Sequence, residues 1–244
     1  MKYTSSLKVA IIGYGKMGKA IERIAKDRGH EIIAIINRDQ DLGSLKDRSV
    51  PIDVCIEFTS GDAAATNIAF CLENGLPVVS GSTGWQGQFK EIIRLTEKQK
   101  GAFFYASNFS VGVHLFMKTA RQLSRLMNGH TEYDVFIEEA HHIFKKDAPS
   151  GTAITLAETV LEELKNKEKW KLSCDDHLDN EIPVAAKRIG QEYGYHRLLF
   201  HSPIDAIGLD HRAFTRDGFA LGAILAAEFL IGKTGFYGMD DLLE

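Results

Sequence analysis

The chain has 244 residues, of which 44% are apolar, and its 29 basic and 33 acidic side chains leave a net charge of −4. Such a length supports one or two domains with a core that needs no disulfide or metal staple, and the slight acidity excludes a protein that holds nucleic acid through an overall basic field. Three cysteines, Cys55, Cys71 and Cys174, cannot all pair and none lies in a CxxC, so a reduced compartment is expected.

Residues 8–12 form a short apolar run closed by Gly13, the pattern of a strand buried on both faces. Ala20, Ile21, Ile24 and Ala25 recur at helical spacing among charged residues up to Gly29, a natural helix stop. A second buried run covers 32–36, so the chain opens with strand, glycine turn, helix, strand. Strands at 52–56, 77–80 and 102–105 then alternate with helices over 62–75 and 91–100. Strands separated by helices of this length imply right-handed crossovers and a parallel sheet, so 1–108 is read as a doubly wound α/β domain.

Beyond Asn108 the rhythm changes. An amphipathic helix over 111–127 leads into a strand at 133–139, a loop, a helix over 151–165 and a polar segment at 170–180. Strand-like pieces follow at 182–189, 195–200 and 204–209, with Gly190 and Gly194 at the turns. This grouping predicts a second, smaller α+β domain over 109–215, with a mixed or antiparallel sheet covered on one face. The last apolar helix, 219–231, contains Glu228 and is too short for a membrane span; the segment 216–244 is expected to return to the first domain. The N-terminal apolar run is too short and wrongly flanked for a signal peptide, so a cytoplasmic protein without a membrane partner is expected.

Gly13-Tyr14-Gly15-Lys16-Met17-Gly18 is a full GxGxxG between a predicted strand and a predicted helix. The first glycine permits the turn, the second lets backbone approach a pyrophosphate, and the third lets helix and strand pack closely. An acidic residue that would take the ribose of NAD at the end of the second strand is replaced by Asn37-Arg38. Asn can bond a hydroxyl and Arg38 can pair with a 2′-phosphate, while Asp39 or Asp41 can supply the carboxylate, so NADH and NADPH both stay open. Gly81-Ser82-Thr83-Gly84 and Ser107-Asn108-Phe109-Ser110 follow two further strands and trace one rim of the crevice where an open α/β sheet binds its ligand.

The densest chemistry lies between Glu138 and Ala153. His141, His142 and Lys145 supply groups that move protons and stabilise anions, and Ser150-Gly151-Thr152 opens a helix whose N–H groups favour a carboxylate. Together they read as a site for a carboxylated substrate. HHxxxK lacks the spacing of HExxH, and Cys174-Asp175-Asp176-His177 reads as a solvated charged loop, so no metal is assigned.

These residues resemble the 4-hydroxy-tetrahydrodipicolinate reductase (dihydrodipicolinate reductase) family over essentially the whole chain. The likeness runs through residues 9–18, Phe58-Thr59, 81–85, 108–113, the HHxxKxDAPSGTA stretch, His211-Arg212-Ala213, Arg216, 219–223 and Gly238-Met239. It implies a Rossmann-type parallel sheet, a substrate domain with a mixed sheet that builds a homotetramer, and reduction of a cyclic dicarboxylate by NADH or NADPH. It further implies His141 as proton donor or acceptor and Lys145 as proton donor, with His142, Gly151 and Thr152 holding substrate. Gly13, Tyr14, Gly15, Lys16, Met17, Gly18, Arg38, Gly81, Ser82, Thr83, Ala106, Ser107, Asn108 and Phe109 would contact the dinucleotide. Ile143-Phe144 departs from the family by filling a place that is often basic. Two rival readings are a different two-domain dehydrogenase and a dinucleotide sensor or scaffold without turnover. The first would act, for instance, on a sugar or a semialdehyde; semialdehyde chemistry through a thioester needs a cysteine nucleophile, and neither Cys55 nor Cys71 lies in a strand-end loop, while the second should carry a basic helix-turn-helix and none is visible.

Overall fold

The computed structural model describes residues 5–37, 41–46, 50–173 and 176–244. In chain order the first elements are β1 (Lys8–Ile12), α1 (Lys16–Asp27), β2 (Glu31–Ile36), β3 (Val54–Glu57), α2 (Gly61–Glu73), β4 (Val78–Ser80), α3 (Phe89–Gln99) and β5 (Ala102–Tyr105). There follow α4 (Val111–Met127), β6 (Asp134–His141), α5 (Gly151–Leu161), β7 (Lys169–Lys171), β8 (Glu181–Arg188), β9 (Tyr195–His201) and β10 (Ala206–Arg212). The chain closes with α6 (Asp217–Leu230), β11 (Gly235–Tyr237) and α7 (Met239–Leu242). Residues up to Val111 form one compact unit with Arg216–Glu244, and Gly112–Thr215 form the other.

The first unit carries a six-stranded sheet in the order β11-β5-β4-β3-β1-β2, parallel throughout. Its strands are apolar on both faces because both faces are covered. Val9, Ile11 and Ile56 pack with Ile21 and Ala25 of α1 and Ala223 and Ala227 of α6. Ala10 and Cys55 point the other way, into Ile68 and Leu72 of α2, Ile92 of α3, Trp85 and Phe103. Burying an aliphatic side chain of this size contributes about 1.5–3 kcal/mol, so the two layers hold the sheet from either side. The helix α6 is further tied to α1 and β2 by Glu228, which accepts two hydrogen bonds from Arg28 at 2.8 Å and meets His30 Nε2 at 2.8 Å. The strand β11 was not expected: its three residues carry no readable period, and its pairing of Phe236 with Phe103 at the edge of the sheet defines it.

The second unit has a five-stranded mixed sheet, β10-β9-β6-β8-β7. β6 and β7 run parallel to β8, whereas β9 is antiparallel to both β6 and β10. Phe116 and Ala120 of α4 and Leu156 and Val160 of α5 cover Val135, Ile137, Val184, Leu198 and Phe200. Most element bounds here fall within a residue of the sequence expectation, and the larger differences in the strands have identifiable partners. β6 extends to His141 rather than stopping at 139, because its ladders with β8 and β9 continue to that end. α5 stops at Leu161. The polar segment contains β7, which the parallel pairing with β8 stabilises in place of an apolar pattern. β10 occupies Ala206–Arg212, an exposed edge strand set by its pairing with β9.

Candidate active site

In the first unit the turn after β1 is closed by Gly13, buried at φ +95°, where a Cβ would stand 2.2 Å from the Phe58 carbonyl oxygen. A Cβ at Gly18 would stand 2.2 Å from the Gly13 carbonyl oxygen, so the first turn of α1 packs directly on the strand end. Gly15, the helix N-cap, has nothing within 4 Å of its Cβ position. The cap has no side-chain hydrogen bond and the first turn no acidic residue. The N–H groups and the positive end of the dipole are therefore left to an outside anion, and this cradle fits the pyrophosphate of a dinucleotide. Lys16 is exposed beside it, Met17 packs on the core and the Tyr14 hydroxyl bonds Glu22.

The ends of β3 and β4 are drawn together by Glu57, a fully buried carboxylate. It accepts from Ser80 Oγ at 2.5 Å, Ser82 Oγ at 2.9 Å, Thr59 N at 2.9 Å and the Thr59 hydroxyl. Ser82 Oγ in turn accepts from Thr59 N at 2.8 Å, so the hydroxyl expected on the rim is committed inward. Gly81 lies against the Phe58 ring, and Phe58 and Phe109 are 5.6 Å apart. Thr83 and Ser107 are exposed, Ala106 and Phe109 are buried, and Asn108 Oδ1 accepts from Ser110 N at 2.8 Å. Arg38 lies outside the described residues.

In the second unit the inward face of β6 reads Val135, Ile137, Glu139, His141. The first two residues enter the apolar core, and the last two continue that row as buried polar groups. Across the ladders, His196 of β9 stands opposite Glu139, and Arg188 of β8 opposite His141. His141 Nδ1 bonds Glu139 Oε2, while Glu139 Oε1 accepts from both Nη atoms of Arg188 at 3.0 Å and from Ser150 N at 3.2 Å. Ser150 caps α5, its Oγ accepting from Ala153 N at 3.2 Å, and it shares a 3.2 Å hydrogen bond with His196 Nε2. The His141 and His196 rings meet edge to face with centroids 5.2 Å apart.

Lys145 pairs with Asp147 at 2.8 Å, and its carbonyl accepts from Arg188 Nε at 3.2 Å. His142 is half-buried, its ring 6.3 Å from that of Phe144, and its Nδ1 is buried with no hydrogen-bond partner among the described residues. Gly151 begins α5 with open space at its Cβ position, and Thr152 is half-buried beside it. The structure thus gathers His141, His142, Lys145, Gly151 and Thr152 in one unit, between the end of β6 and the start of α5.

Burial by itself pushes the Glu139 carboxyl up, but hydrogen bonds from His141 and Arg188 and their charges outweigh it and hold the group below the usual carboxylate value. His196 is pushed down to about 3, first by burial and then by facing His141, so it is neutral near pH 7. The Lys145 ammonium holds Asp147 below its usual value. Glu139, His141 and His196 bring one possible metal-ligand atom each within 4.8 Å of one another. The Glu139 oxygens already accept from three N–H groups, two of them on the Arg188 guanidinium, and meet His141 Nδ1, so the carboxylate is paired with a cation from within the chain.

Sequence reasoning missed Glu139, Arg188 and His196. The signal for Glu139 was the alternation Val135-Ile137-Glu139-His141, which becomes visible once the strand is carried to His141. Arg188 and His196 come from other strands and had no local signal.

A parallel sheet with a glycine-lined anion cradle, in a chain whose second unit holds a histidine–carboxylate cluster at a helix start, defines a dinucleotide-binding oxidoreductase of two units. Family profiles described as dihydrodipicolinate reductase, N-terminus, and dihydrodipicolinate reductase, C-terminus, match residues 7–109 and 112–243. The chain is 44% identical over 238 residues to a 4-hydroxy-tetrahydrodipicolinate reductase from Christiangramia forsetii, covering 98% of each. It is 36% identical to a protein of the same name from Methanoculleus marisnigri, covering 97% of this chain and 99% of the relative. The solved structure of a dipicolinate-bound dihydrodipicolinate reductase from Paenisporosarcina sp. TG-14 shares the fold with a TM-score of 0.75 at 24% identity, over 97% of this chain and 99% of that one. The chain belongs to the dihydrodipicolinate reductase family.

Proposed function

We propose that the chain reduces 4-hydroxy-tetrahydrodipicolinate with NADH or NADPH on the diaminopimelate route to lysine, the activity for which its relatives are named. The observation that carries this reading is the Glu139–His141 pair beside Lys145 and the start of α5, in a chain of that family throughout its length. A bound reduced nicotinamide supplies a hydride. The protein's own task is to hold both ligands and to move the proton.

Gly13, Tyr14, Gly15, Lys16, Met17 and Gly18 hold the pyrophosphate, with Gly81, Ser82, Thr83, Ala106, Ser107, Asn108 and Phe109 along the rim and Arg38 at the adenosine ribose. On the way to tetrahydrodipicolinate the 4-hydroxyl leaves as water with a proton from the neighbouring ring carbon, and hydride addition to the unsaturated ring then leaves an electron-rich, enamine-like carbon that must take a proton. A positioned general acid there lowers the barrier by a factor of ~10²–10⁴. His141 gives or takes that proton and Lys145 donates one. His142, Gly151 and Thr152 hold the substrate carboxylates, and a carboxylate near Lys145 competes with Asp147, an exposed partner that yields readily. The protein is taken to act in the cytoplasm as a homotetramer, and the exposed edge strand β10 with Ile204 and Ile207 is suited to self-association.

The test is loss of reduced-nicotinamide absorbance with purified protein. Turnover is expected only when the cyclic dicarboxylate is supplied, and His141→Gln should lower kcat by ~10²–10⁴ while leaving cofactor affinity nearly intact. Cofactor binding without absorbance loss would favour the sensor, and a large loss of cofactor affinity in His141→Gln would remove the assigned role.

A further inference from the structure

We propose that Glu139, clamped by Arg188 and Ser150, is the positioning residue of this active site: it keeps a proton on His141 Nδ1 and leaves Nε2 as the nitrogen that exchanges with substrate. The proposal rests on the reading of His141 as the proton-transfer group and adds the group through which that residue acts.

Three observations carry it. One carboxylate oxygen of Glu139 meets His141 Nδ1, and the other is filled by two guanidinium N–H groups and a main-chain N–H. A carboxylate so held can only accept, so the bridging proton belongs to Nδ1. Second, the fold leaves Glu139 no alternative: it is completely buried, on a strand between β8 and β9, with Arg188 as its cationic partner. An ion in that position persists only when paired and hydrogen-bonded. Third, the opposite edge of the imidazole is kept clear by a glycine. A Cβ at Gly194 would stand 3.3 Å from His141 Nε2.

The charges facing His141 are Glu139 on its own strand, Arg188 on β8, His196 on β9 with His211 beyond it on β10, and Lys145 on the following loop. Ser150, at the start of α5, reaches the cluster through its main-chain N–H and hydroxyl. Of these, Glu139 alone presents a negative charge directly to the ring. It holds the Nδ1 edge of the ring, which leaves Nε2 as the edge through which a proton is exchanged. Neutral His196 fills the space beside the ring without adding a second positive charge.

The experiment uses the full-length chain with ¹⁵N-labelled histidine. Heteronuclear NMR of the wild type should show neutral His141 protonated on Nδ1, and Glu139→Ala should abolish that preference. An Nε2–H tautomer in the wild type, or an unchanged tautomer in Glu139→Ala, overturns the proposal whatever the activity. In turnover assays Glu139→Gln, which keeps an acceptor but removes the charge, should lower kcat roughly 10- to 100-fold with cofactor affinity unchanged. Adding Glu139→Gln to His141→Gln should cost nothing further. Loss in the double variant equal to the product of the two single losses marks Glu139 as merely structural. If Glu139→Gln does not fold, Arg188→Gln keeps the carboxylate and should keep the Nδ1–H tautomer, so an Nε2–H tautomer in that variant counts against the proposal. Insensitivity of turnover to His141→Gln, in contrast, would sink the proposed function and leave the tautomer result standing.

Discussion

Replacing Gly222 with Ala should loosen the cofactor rim from the back. Gly222 lies in α6, and an ideal Cβ there stands 1.7 Å from the Phe109 carbonyl oxygen and 2.8 Å from its carbon, where real contacts do not fall below 3.0 Å. The Cβ is fixed to the helix backbone and the atoms it meets are main chain, so no rotamer change relieves the clash, and the helix or the 106–109 segment must move until 1.7 Å becomes at least 3.0 Å. Overpacking of this kind costs about 1–3 kcal/mol, here toward the upper end, while alanine regains about 1 kcal/mol of helix propensity. The net loss is about 2 kcal/mol, or a Tm lower by about 4–8 °C. Phe109 packs 5.6 Å from Phe58 and 5.8 Å from Phe104, and its ring would approach a Gly81 Cβ to 3.0 Å, so its shift reaches the neighbouring strand-end loop. Urea unfolding and fluorescence titration with NADH should therefore show lower stability and a higher Kd, whereas Gly87→Ala, where nothing lies within 4 Å, should change neither. A Gly222→Ala protein within about 0.5 kcal/mol of wild type, with the same Kd, would refute the reasoning.

Stability should fall with acidification before any carboxylate is protonated. His196 goes from an ordinary value of 6.5 when unfolded to about 3 when folded. The unfolded chain therefore takes the proton first, and the stabilisation is complete above 6.5 and lost as pH drops toward 3. At about 1.4 kcal/mol per unit, the change between pH 6.5 and 5 is about 2 kcal/mol; His211, lowered by burial, acts in the same direction. Urea midpoints across that range should slope less in His196→Asn, and equal slopes would contradict the assignment. Arg38→Ala should weaken NADPH more than NADH, and equal weakening in binding titrations would remove the 2′-phosphate argument.

Local pattern accounts for what was readable beforehand. The buried run of β1, the GxGxxG turn and the amphipathic face of α1 are contiguous, and each constrains its neighbours through backbone sterics and periodicity, so fold class and cofactor cradle could be written down directly. The HHxxKxDAPSGTA stretch likewise carried the resemblance to the family, because its residues are adjacent along the chain.

Tertiary structure alone decided which of two neighbouring glutamates is buried against His141. Glu138 turns outward to Lys187 at 2.8 Å, and Glu139 turns inward to His141 and Arg188, a residue 49 positions away. That choice follows from strand register, which fixes a whole face at once and depends on partners distant in sequence. Ser82, offered by the sequence to the ligand, was claimed by Glu57, and Gly222 proved necessary because a main-chain carbonyl from another segment occupies the space a methyl would need. Periodicity and turn chemistry act within a few residues and are written in order; burial, hydrogen-bond satisfaction and close approach act between segments and exist only once the chain has closed on itself.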